Sequence, residues 1–86
     1  MNIAIINGPN LNNLGKRDNS IYGSKSLNEI EKLIIENFTD SPVSLSFYQS
    51  NAEGEIIDYI QKITETTDAI IINPGGLTHY SISLRD

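Results

Sequence analysis

Arg17 and Tyr22 are the residues whose types and spacing first suggest proton chemistry. A free tyrosine has a pKa of about 10 and is a poor base at neutral pH. A guanidinium within roughly 4–6 Å favours the phenolate and lowers that pKa, and arginine does so without titrating itself. Such a pair suits removal of a proton next to a carbonyl. The alternative is that Arg17 is a solvated loop charge and Tyr22 packs its loop down; five residues apart in a loop is a weak pattern. Asn73-Pro74-Gly75-Gly76 carries more information. Proline fixes φ and the glycines allow positive φ, so the backbone can turn sharply and come close to a ligand. Asn73 offers a donor and an acceptor, and the helix start that follows offers free N–H groups suited to a carboxylate or phosphate. Equally, this is an ordinary strand-to-helix turn with Asn73 bonded to its own loop. His79, the single histidine, falls where it can meet a substrate hydroxyl, although lone histidines are more often structural or solvated. One histidine and no cysteine give a metal little to bind. The loop Asn7-Gly8-Pro9-Asn10-Leu11 matches neither phosphate-binding glycine motif.

These residues need elements to hold them. Asn2 to Ile6 reads as a short buried strand, followed by a polar loop over residues 7–25 that is long enough to be a functional lid. Ser26-Leu27-Asn28-Glu29 fits a capping box. Leu27, Ile30, Leu33, Ile34 and Phe38 then give one apolar helical stripe, which Asp40-Ser41-Pro42 ends. Val43 to Gln49 alternates and reads as a less buried strand. Gln49-Ser50-Asn51 turns into a second amphipathic helix over residues 52–66, with Ile56, Ile57, Ile60 and Ile63 on its buried side. Ala69 to Ile72, wholly apolar, is expected at the centre of the sheet. Thr78 is expected to cap a third helix beginning with Tyr80 to Leu84. The order β-α-β-α-β-(α) implies a parallel sheet with right-handed crossovers. All three strand ends then deliver their loops to one edge, where ligands bind in doubly wound sheets.

The 86 residues make at most one domain, expected to be marginal as an isolated monomer. With no cysteine, disulfides cannot staple it. A net charge of −5 with scattered Lys and Arg argues against nucleic-acid binding. No apolar run approaches membrane-spanning length and Met1 leads straight into a strand, so a soluble, cytoplasmic protein is expected.

Three segments in order carry a family resemblance. Residues 6–17 with Ile21-Tyr22-Gly23, then Gln49-Ser50-Asn51-Ala52-Glu53-Gly54-Glu55, then residues 73–81 continued by Leu84-Arg85-Asp86, closely resemble the type II 3-dehydroquinate dehydratases. The resemblance runs in register along the whole chain. It implies a flavodoxin-like, three-layer α/β fold of which residues 1–86 are the N-terminal portion. It implies dehydration of 3-dehydroquinate to 3-dehydroshikimate in the shikimate pathway, with no cofactor and no metal. Tyr22 would remove the proton alpha to the ketone, giving an enolate, and Arg17 would keep Tyr22 ionised. Asn10 would help order the loop, Asn73 and His79 would hold substrate hydroxyls, and the turn at Gly75-Gly76 would let the ring sit close. Asp86 would reach substrate in a neighbouring subunit of a dodecamer built of trimers.

The family continues with further strands that carry a histidine, which protonates the leaving hydroxyl, and an arginine that binds the carboxylate. Proton transfer of that kind supplies roughly 10²–10⁴-fold, so the 86 residues alone are expected to show little or no turnover. Two alternatives stand beside the dehydratase: an inactive homologue serving as a binding or assembly module, and a flavodoxin-like module for a small anion or nucleotide.

Overall fold

The computed structural model describes residues 1–14 and 25–86. Strand β1 (Asn2–Asn7) leads into a single 3-10 turn at Leu11–Asn13. Helix α1 (Leu27–Asn37), strand β2 (Ser44–Gln49), helix α2 (Glu53–Ile63) and strand β3 (Ala69–Asn73) follow. Two single-turn helices close the chain, α3 (Leu77–Tyr80) and α4 (Ile82–Arg85). The 3-10 turn interrupts what the sequence suggested was an irregular loop.

The α1 N-terminus is the capping box expected. Ser26 Oγ accepts the Glu29 N–H at 3.2 Å, and the Glu29 carboxylate accepts the Ser26 N–H at 3.5 Å. The α2 N-terminus is built differently. Ser50, buried at the end of β2, accepts the Ala52 N–H at 3.0 Å and donates to Glu55 Oε1 at 2.8 Å. The third helix differs from its expected form. Instead of starting at a Thr78 cap, the chain makes one turn from Leu77 and breaks at Ser81. Ser81 Oγ then accepts the Leu84 N–H at 2.9 Å and starts the second turn.

The sheet is parallel, in the order β2-β1-β3. Asn2 fixes the lower end: its N–H donates to Asp68 Oδ2 at 2.7 Å and its carbonyl accepts the Asp68 N–H at 2.8 Å. The crossover from β1 to β2 leaves β1 on one side, and that from β2 to β3 returns past β1 to the other. Right-handed crossovers in opposite directions put α1 and α2 on opposite faces. The core centres on β1 and α2, where Ala4, Ile6 and Ile56 are each at most 1% exposed. α2 presents Ile57, Ile60 and Ile63 half-buried, as its periodicity predicts. On α1 only Leu27, Ile30 and Ile34 of the predicted stripe are half-buried, while Leu33 and Phe38 are each 42% exposed.

The expectation for β3 is reversed. β1 takes the central place, β3 pairs only with β1 among the described residues, and Ile70, Ile71 and Ile72 are 39%, 58% and 37% exposed. β2, expected to be the less buried strand, keeps Leu45 and Phe47 half-buried and so is better covered than β3. An apolar run reports what a strand can bury, and leaves open which neighbours it receives.

Candidate active site

The three strands end level with one another. Asn7 is in register with Gln49 on one side and Asn73 on the other. In-register residues of a parallel sheet point to the same face, so three side-chain amides form a row across the carboxyl edge. The crossovers diverge at β1, which makes the cleft between β1 and β3 the topological switch point, where open α/β sheets bind ligands.

The two loops at that point interlock. Gly8 N–H donates to the Asn73 carbonyl at 2.8 Å. A Cβ on buried Gly8 would lie 2.6 Å from the Pro74 carbonyl oxygen, and one on Gly75 would lie 2.9 Å from that of Pro9. Both positions therefore require glycine, and Gly75 does so twice over because its φ is +59°. Gly76 differs: its φ is −63° and a Cβ there would meet nothing within 4 Å. The close approach of backbone to backbone is thus made by Gly8 and Gly75, and Gly76 borders open space.

Each residue singled out from the sequence has a definite position, two excepted. Asn10 is exposed and sits in the left-handed region at φ 71°, a conformation that asparagine tolerates better than most residues. Its N–H donates to Asn51 Oδ1 at 2.9 Å. Asn73 is exposed at the end of β3, and its Oδ1 accepts the Gly75 N–H at 3.3 Å. One face of its amide therefore structures its own turn. His79 is exposed in α3, its N–H donating to Gly76 O at 3.2 Å, which sets it one turn beyond the glycines. Asp86 caps α4 and shares a crevice with Ile57, Ile60 and Gln61 of α2, away from the switch-point loops. Arg17 and Tyr22 lie outside the described residues.

Gln49 and Asn51 had no individual role in the sequence reading beyond belonging to a turn on the ligand edge and to the second segment of the resemblance. Gln49 Nε2 donates to the Gly8 carbonyl at 3.2 Å and to Asn51 Oδ1 at 3.1 Å. Ser50 N–H donates to the Asn7 carbonyl at 3.1 Å. Their place at the carboxyl end of a strand was the available signal. Gln49 also lines a crevice of about 330 Å³ of mixed character with Asn12, Leu14, Ser26, Leu27, Asn28 and Glu31. A second crevice of about 340 Å³, lined by Ile60, Ile72, Pro74, Leu77, Leu84 and neighbours, is mainly apolar and includes neither Asn10 nor Asn73. Among the described residues no helix is long and apolar enough to cross a membrane.

Comparison with known proteins agrees with this geometry. The family model described as Dehydroquinase class II matches residues 1–86. A 3-dehydroquinate dehydratase of Halothermothrix orenii is 52% identical over 84 residues, which are 98% of this chain and 57% of that protein. One from Prochlorococcus marinus is 51% identical over the whole chain and 58% of its own length. The crystal structure of the type II dehydroquinase from Butyrivibrio crossotus superposes with a TM-score of 0.95 at 47% identity, covering all of this chain and 60% of that one. The chain thus spans somewhat under three fifths of the length of these curated relatives. Sequence motifs, strand order and the interlocked edge converge on one conclusion: the chain belongs to the class II dehydroquinase family.

Proposed function

We propose that this chain supplies the switch-point part of a 3-dehydroquinate dehydratase. In this reading Tyr22, kept ionised by Arg17, takes the proton alpha to the ketone of 3-dehydroquinate. The resulting enolate then expels the hydroxyl, which takes a proton from the histidine that the family carries in its further strands and leaves as water, giving 3-dehydroshikimate. Asn73 and His79 hold substrate hydroxyls, and the open space at Gly76 admits the ring. Asn10 shapes the loop that carries Arg17 and Tyr22. Asp86 contacts substrate in a neighbouring subunit of a trimer-based dodecamer, which fits its exposure and its distance in the fold from the Asn10 edge. The observation that carries the reading is the interlock of Gly8-Pro9 with Pro74-Gly75. It holds the start of the loop that leads to Arg17 and Tyr22 against the turn that follows Asn73.

The test is formation of the conjugated enone, followed by its absorbance. The chain is assayed alone and together with the portion of the Halothermothrix orenii relative that it does not match. Turnover in the mixture, abolished by Tyr22→Phe, is the expected result. A Tyr22→Phe mixture as active as the unsubstituted one would rule out the phenolate base. The exposed Ile70–Ile72 of β3 favours a second reading, an assembly module without activity of its own. It predicts a stable complex of the two polypeptides with no enone formed.

A further inference from the structure

We propose that Asn51, with its side-chain oxygen oriented by Gln49, is a positioning residue that fixes the backbone of Asn10. The inference rests on the dehydratase reading of the site. Asn10 is the single non-glycine residue with positive φ among the described residues. A residue in that region keeps its conformation only when its surroundings specify it. Two hydrogen bonds meet at Asn51 Oδ1: from Asn10 N–H at 2.9 Å and from Gln49 Nε2 at 3.1 Å. Gln49 Nε2 also reaches the Gly8 carbonyl at 3.2 Å. One glutamine amide therefore ties together the residue two before Asn10 and the oxygen that holds Asn10.

The left-handed turn points the chain from β1 toward the 3-10 turn, so its loss redirects everything that follows. The device uses only the acceptor side of Asn51. A carboxylate in its place accepts both bonds, and a methyl group accepts neither. The proposal therefore predicts rescue by aspartate, which a role in donating from Asn51 would not produce.

The experiment reads amide hydrogen exchange at Asn10 in the ¹⁵N-labelled chain, and turnover in the supplemented mixture described above. Spectral dispersion and the exchange of Ile6 serve as the check on folding. Asn51→Ala is expected to speed exchange at Asn10 at least tenfold while Ile6 stays protected, and to lower kcat at least tenfold with KM changed less than threefold. Asn51→Asp is expected to restore both. Unchanged exchange at Asn10 in Asn51→Ala overturns the clasp. Faster exchange with unchanged kcat overturns its part in turnover, as does an Asn51→Asp variant that resembles Asn51→Ala. If Asn51→Ala fails the folding check, Gln49→Ala decides by the same two readouts. Absence of turnover in the unsubstituted mixture overturns the dehydratase reading and the catalytic half of this inference. Exchange at Asn10 still separates that failure from a failure of the clasp.

Discussion

β1 and β3 are nearly the same strand in sequence and opposite in circumstance. Each is a run of isoleucine and alanine ending in asparagine, and each empties into a glycine-proline turn. β1 has a strand on either side and buries Ala4 and Ile6 almost completely. β3 has a described neighbour only in β1, and all five of its residues are exposed. What the two share is their upper ends, joined by Gly8 N–H to Asn73 O and by two glycines packed against the opposing loop. Burial therefore separates the strands along their length, while the interlocked turns bind them at their tips.

Substitutions can break or sharpen that contrast. The largest effect is expected from Ile6→Ala. Removing a fully buried isoleucine costs about 2–5 kcal/mol, enough to unfold a marginal domain, and urea titration followed by circular dichroism would report it. A loss below about 1 kcal/mol would mean that β1 is not the core strand. Next comes Gly8→Ala, whose methyl group has backbone 2.6 Å away. It must push β1 and the Pro74 turn apart, at about 1–3 kcal/mol as in overpacked cores. Its thermal midpoint should fall well below that of Gly76→Ala, where the methyl group meets nothing. Gly75→Ala, strained by its φ of +59°, should lose about 1–2 kcal/mol, again against a Gly76→Ala variant close to neutral. The smallest effect belongs to Ile71→Ala in β3. With 58% of Ile71 exposed, a change within about 0.5 kcal/mol is expected. A loss matching that of Ile6→Ala, in the same urea titration, would erase the distinction between the strands.

Much of the molecule was legible in the sequence for reasons that are local. The Ser26-Glu29 capping box closes within one turn, so its residues specify it alone. The stripe of Ile56, Ile57, Ile60 and Ile63 required only helical periodicity. The helices after β3 were read wrongly at the same scale, because Thr78 and Ser81 are both plausible caps and the choice depends on packing against α2. Gln49 and Asn51 were missed for a different reason. Their partners, Gly8 and Asn10, are 41 residues away in the chain. No spacing rule reaches across that distance.

The residues by themselves determined that three parallel strands would alternate with helices and send their polar turns to one edge. They did so because periodicity, caps and turn chemistry act over a few neighbouring positions. Only the tertiary structure decided the order β2-β1-β3, and with it which apolar strand is enclosed, which is left exposed and where the switch point falls. Strand order is set by competition among long-range pairings, in which the isoleucine runs of β1 and β3 are locally alike. That contest is resolved across the whole sheet, in which two glycines let the turns after β1 and β3 pack together.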